Sequence, residues 1–171
     1  MLLGFEYGFN SWKEIIETIV AFFTLLSIVG GAFFALKRWS ADQKIRTASC
    51  FNELVLRFQS PEISQVFYLI DDARYGGKAD EKCKAWFCGL FSCPEKESAL
   101  DALLTFLSYI CYLEKQGLAG STVTKYFRYP LDAVLSCPGV QSYLKLGLSS
   151  QGEDNPYHLL IVRAREKGIQ L

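Results

Sequence analysis

An all-α protein is what this sequence predicts: one N-terminal transmembrane helix followed by a cytoplasmic helical bundle. Three observations carry that expectation. Residues 18–36 hold no charge, and from about residue 40 apolar residues recur at helical spacing almost throughout. No stretch alternates apolar and polar side chains as a half-buried strand would.

With 171 residues there is room for one ordinary domain and an anchor. Hydrophobic residues make up 50% and aromatics 15%, enough to fill a core outside the membrane segment. Charged residues are only 21%, below the roughly one quarter of a soluble domain, and the shortfall is concentrated in residues 18–36. The 18 basic and 18 acidic residues cancel, so nothing in the balance predicts nucleic-acid affinity.

The segment reads TIVAFFTLLSIVGGAFFAL. At about 1.5 Å per residue it reaches roughly 28 Å, close to the hydrocarbon thickness of a bilayer. Only a helix satisfies every backbone polar group there. Trp12 precedes it, and Lys37, Arg38 and Trp39 follow it, as membrane-interface anchors at headgroup level. A cleaved signal peptide would carry basic residues before the apolar run. Here Glu6, Lys13, Glu14 and Glu17 precede it and Lys37 and Arg38 follow, the reverse order.

The same asymmetry sets the expected orientation. Lys13 is the one basic residue before the span, whereas Lys37, Arg38, Lys44 and Arg46 follow closely. Positive-inside logic places residues 1–17 outside as a short extracytoplasmic N-terminus, residues 18–36 in the bilayer and residues 37–171 in the cytoplasm. The basic cluster reads either as a stop-transfer flank or as a contact with anionic headgroups, each charge contributing about 1 kcal/mol. Within the span, Thr24, Ser27, Gly31 and Ala35 fall in an arc of about 80° at 100° per residue. Small residues let helix backbones approach, and hydroxyls can bond across an interface, so this face predicts association of membrane helices as a dimer or a ring. Such residues are also frequent in membrane helices generally, which leaves chance as the other reading.

The cytoplasmic part divides at recognisable punctuation. Cys50, Phe51, Leu54, Val55 and Phe58 mark a first helix continuous with or close to the span. Ser60-Pro61-Glu62 restarts the chain with a capping hydroxyl, a first-turn proline and an acid. Ile63, Val66, Phe67 and Ile70 follow at helical spacing, and Gly76-Gly77 opens a polar connection to about Asp80. A short helix with Trp86 and Phe87 ends near Ser92. Residues 94–116 form the most apolar helix; its twelve uncharged residues 102–113 cover about 18 Å, too short for the hydrocarbon and suited to a core. Gly117 stops it. Helices over 122–136, which Pro130 bends or divides, and over 140–146 come next, then a polar loop over 149–156 and a last helix over 157–167.

Candidates for chemistry are few. Cys83, Cys88 and Cys93 stand five apart, unlike the tight pairs of zinc sites, and a fourth ligand would have to be Cys50, Cys111, Cys137 or His158. Small buried thiols are the simpler reading. His158 is the single histidine and reads as a structural residue at the start of the last helix. Asp71-Asp72 reads as a solvated helix end near Arg74, and Gly76-Gly77 as a linker turn, not a phosphate loop. No catalytic, cofactor-binding or metal residue is assigned, and no cofactor is expected.

Leu54-x-Leu56-x-Phe58-x-Ser60-Pro61-Glu62, the run FLSYICYLEKQGLAGSTVTKYF over residues 106–127, and the helix over 157–166 resemble an uncharacterised bacterial family of single-pass membrane proteins with a helical cytoplasmic domain. The order of parts is also similar to the membrane accessory proteins of RNA-targeting type VI CRISPR systems. That resemblance implies a domain related to the HEPN nuclease-like fold and assembly into a ring with a membrane pore. The HEPN signature needs an Arg separated from a His by four to six intervening residues. Gln151, Gly152 and Glu153 occupy those places before His158, and the nearest upstream arginine is Arg128. This departure argues against a ribonuclease site and leaves a pore untouched. The expectation is therefore a non-enzymatic, homo-oligomeric protein of the bacterial inner membrane, a pore or depolarising effector in antiviral defence, with the lipid bilayer and its own copies as partners. The alternative is a membrane-tethered module that recruits a cytoplasmic protein.

Overall fold

The computed structural model describes residues 3–151 and 155–171, with side chains for residues 12, 14–148 and 155–171. The described residues form seven helices and no strand: α1 Leu3–Phe58, α2 Pro61–Ala73, α3 Lys78–Cys88, α4 Pro94–Lys115, α5 Ser121–Leu135, α6 Pro138–Gln151 and α7 His158–Glu166. The chain divides into two units, Met1–Ala48 and Ser49–Leu171.

The first unit is helix alone. The apolar segment, its flanks and the first helix of the following unit are one continuous element, α1. Its most apolar 18-residue window has none of its residues buried, and by length and composition the helix could cross a bilayer.

In the second unit, α4 is the centre. Leu100, Leu103, Leu104, Phe106, Leu107 and Ile110 are all 0–1% exposed. The twelve-residue uncharged run is thus a core helix, as its length demands. Phe58 of α1, Phe67 of α2, Phe106 of α4 and Phe127 of α5 meet there, with ring centroids 5.0–5.7 Å apart. Tilted and edge-to-face geometries of this kind add about 0.5–1.5 kcal/mol per pair beyond area burial. Ile63, Val66, Phe67 and Ile70 line the buried face of α2, and Leu160, Ile161 and Ala164 that of α7.

Several local expectations are corrected. Ser60 stands at the α2 N-cap, but its hydroxyl makes no cap bond; its carbonyl accepts from Ile63 and Ser64 instead. Pro61 already removes one of the orphan donors there, which lessens the need for a cap. The polar connection after Gly76-Gly77 is shorter than read, because α3 starts at Lys78, and α3 ends at Cys88. Both glycines have positive φ, 76° and 68°, which L side chains rarely adopt. Pro130 lies buried inside α5 without dividing it. It removes only one N–H, and the Tyr126 carbonyl left without that donor is on a residue 44% exposed, where water can reach. Helix α6 starts at Pro138 and runs on to Gln151, past the expected end near residue 146. That extension takes up the start of the loop expected over 149–156. Gly152 and Glu153, named in the Arg–His comparison, lie outside the described residues. Gly117 does terminate α4: with φ 67° it lets Leu118 and Ala119 donate back to the Leu113 carbonyl.

Candidate membrane-association face and polar clusters

On α1 the expected association residues are all exposed. Gly31 has nothing within 4 Å of where a Cβ would stand, and neither does Gly30. Phe22, Phe23, Phe33 and Phe34 are 58–71% exposed, part of the kind of apolar surface that marks a membrane or protein interaction site. Trp12 is 67% exposed and Trp39 63%, with Lys37 and Arg38 exposed beside Trp39. The side chain of Lys13 lies outside the described residues.

Within the single chain the hydroxyls of this face bond to their own helix. Thr24 donates to the Val20 carbonyl at 2.8 Å and Ser27 to the Phe23 carbonyl at 2.9 Å; at the start of the 18–36 segment, Thr18 donates to the Glu14 carbonyl at 2.8 Å. Each proton is spent one turn back on its own helix, the local way to satisfy a hydroxyl without water. The oxygens remain as acceptors.

In the second unit the cysteines separate into two kinds. Cys83, Cys111 and Cys137 are buried, as expected for small apolar thiols, but Cys50 and Cys88 are exposed and Cys93 is half-buried. Burial pushes the Cys83 thiol up to about 12, helped by the neighbouring Cys137, and burial raises Cys111 to about 11. Both are protonated at neutral pH, the state in which a thiol is a poor nucleophile and a poor metal ligand. Among the described residues, no three His, Cys, Asp or Glu side chains come together as a metal-holding group. His158 begins α7 with its side chain exposed, and its N–H donates to the Asn155 carbonyl at 2.9 Å.

Asp71 and Arg74 do sit at the end of α2, but with a partner the sequence does not reveal. The Tyr129 hydroxyl donates to Asp71, and the Arg74 guanidinium lies 5.4 Å from the Tyr129 ring centroid. The bond to Asp71 stabilises the protonated phenol and raises Tyr129 to about 12.

A second cluster has no counterpart in the sequence reading. The hydroxyls of Tyr143 on α6 and Tyr157 before α7 both donate to Asp101 Oδ1 of α4, each at 2.6 Å. Burial, then the bond to Asp101, shifts both phenols well above their ordinary range. The three residues border a cavity of about 400 Å³ together with Phe91, Glu97 and Asn155. Asn155 Oδ1 accepts from the Tyr157 N–H at 2.7 Å, while its buried Nδ2 has no partner and packs against Gly147, 3.0 Å from where a Cβ would stand there. Separations of 42 and 56 residues hide such a cluster from any local motif. Its geometry ties α4, α6 and the start of α7 together, with one carboxylate serving a buried and a half-buried tyrosine.

No family model, curated protein or solved structure matches the chain.

Proposed function

We propose that the protein is a homo-oligomer of the bacterial inner membrane whose α1 helices cross the bilayer and assemble into a pore or depolarising channel, in an antiviral role of the kind served by type VI CRISPR accessory proteins. The observation that carries this reading is the apolar window of α1 with none of its residues buried, beside a second unit that has filled its own core. Hydrocarbon and other copies of α1 are the partners such a surface fits. Thr24, Ser27, Gly31 and Ala35 supply the close-approach face. In a ring, Thr24 and Ser27 present hydroxyl oxygens to the axis, with the second units on the cytoplasmic side, where Lys37, Arg38, Lys44 and Arg46 lie. The work asked of the chain is assembly and conduction, not bond-making.

The test is expression in bacteria with a potential-sensitive dye, beside the mass of the detergent-solubilised protein. A pore gives a multimeric mass and a loss of membrane potential once triggered. A strict monomer that leaves the potential untouched under every trigger excludes it.

A second reading, a membrane-tethered module that recruits a cytoplasmic protein, is favoured by the aromatic surface of the second unit. Tyr109 and Tyr112 of α4 stack at 6.3 Å while 44–46% exposed, and Leu118 is 68% exposed. It predicts intact membranes and a co-purifying protein.

A further inference from the structure

The cavity beside Asp101 is walled by acids on one side and aromatic rings on another. It lies within the second unit and holds about 400 Å³, inside the range of about 300–1,000 Å³ usual for small-molecule pockets. Glu97 and Asp101, one turn apart on α4, both border it. No lysine, arginine or histidine is among the described residues around it, and neither acid makes an ion pair among the described residues. The hydroxyls of Tyr143 and Tyr157 both go to Asp101 Oδ1, so Oδ2 stays available as an acceptor. Phe91 and Tyr143 stack at the rim, with ring centroids 6.0 Å apart and planes at 24°.

A second observation is independent of the charges. Asn155 borders the same cavity and is only 4% exposed, yet its Nδ2 has no hydrogen-bond partner. The Tyr157 N–H holds Asn155 Oδ1, which fixes the amide. Its other end is turned to Gly147, also on the cavity wall: a Cβ there would stand 3.0 Å from Nδ2 and 4.0 Å from Cγ. The donor therefore points where glycine leaves out a side chain. Buried donors without acceptors are rare in folded proteins, and this one calls for an acceptor that the chain does not supply.

We propose that this cavity binds a small organic cation that also carries a hydrogen-bond acceptor. Its ammonium or guanidinium group pairs with Glu97 and Asp101 Oδ2 beside the rings of Phe91 and Tyr143, and its carbonyl or hydroxyl oxygen accepts from Asn155 Nδ2. The walls decide against a metal ion. Two acids bring too few oxygens for calcium or magnesium, and no third His, Cys, Asp or Glu joins them among the described residues. An anion is disfavoured too, since both charges on the walls are negative.

Calorimetric titration of the full chain in detergent tests this with two probes, argininamide and agmatine. Both carry a guanidinium and an amine, but only argininamide has a carbonyl oxygen to accept from Asn155. The site predicts saturable binding of argininamide and several-fold weaker binding of agmatine. Glu97 has no ion pair to lose, so Glu97→Gln is expected to keep the melting curve of the parent and to weaken argininamide several-fold. No saturable heat from either probe overturns the site. Argininamide binding undiminished in Glu97→Gln overturns the role of the acids, and agmatine binding equal to argininamide overturns the contact with Asn155. The comparison of the two probes is made on the parent chain and holds however the variant folds.

Discussion

The phenylalanines of the apolar segment of α1 and those at the centre of the second unit behave in opposite ways. Phe22, Phe23, Phe33 and Phe34 of α1 are 58–71% exposed, whereas Phe106 and Phe127 are 0–1% exposed. The residue type is shared, so composition does not explain the difference. In Ser49–Leu171 the helices bring their apolar faces together around one buried core. In Met1–Ala48 the described residues form a single helix, and the most apolar window of that helix has none of its residues buried.

That contrast breaks most sharply under truncation of the aromatics. Phe106→Ala removes a ring from a site that is 1% exposed and is expected to cost the second unit about 3–5 kcal/mol, read by urea denaturation. Phe33→Ala, at 63% exposure, leaves that unfolding curve unchanged. Equal shifts would mean that α1 packs on protein after all.

Glycine sharpens the comparison. A Cβ at Gly139 would stand 2.4 Å from the Phe87 ring, so Gly139→Ala forces a core ring to move and is expected to destabilise the second unit by about 1–3 kcal/mol. At Gly31 nothing lies within 4 Å, and Gly31→Ala leaves the fold untouched. Gly31→Ile, which adds bulk on the association face, lowers the solubilised mass without changing the melting of the second unit. An unchanged mass clears Gly31 of that role.

The smallest expected effect is on pH dependence, and it belongs to the second unit alone. Cys111, raised by burial to about 11 from an ordinary 9.0, contributes stability that is whole below pH 9 and is lost as pH rises toward 11. Tyr143 and Tyr157, also raised, add a further loss that begins above their ordinary value of 10.0. Circular dichroism melts are therefore expected to hold level between pH 7 and about 9 and to fall above that. Tyr157→Phe lessens the fall above pH 10; a profile identical to the parent counts against the Asp101 cluster.

How much of this was legible in the sequence follows from the range of each interaction. The apolar run, the glycine stop at Gly117 and the core periodicity of α4 are local patterns, and each reappears in the fold. The long continuity of α1 was legible only as a choice between continuous and nearby helices, because no punctuation separates Leu36 from Cys50. Of the two outcomes expected at Pro130, division does not occur, because tertiary burial holds α5 together through one missing hydrogen bond. The Asp101–Tyr143–Tyr157 cluster, and the partner of Asp71, depend on side chains dozens of residues apart, which no spacing rule reports. The destination of the Thr24 and Ser27 protons was not legible either, since a hydroxyl in a helix chooses between a neighbour and its own carbonyl four residues back.

The claim beneath all of this is that bilayer lipid matches the exposed surface of α1, and alkaline carbonate extraction of vesicles tests it most directly. If α1 is embedded in lipid, the protein sediments with the membranes at high pH. Its appearance in the supernatant would contradict the account.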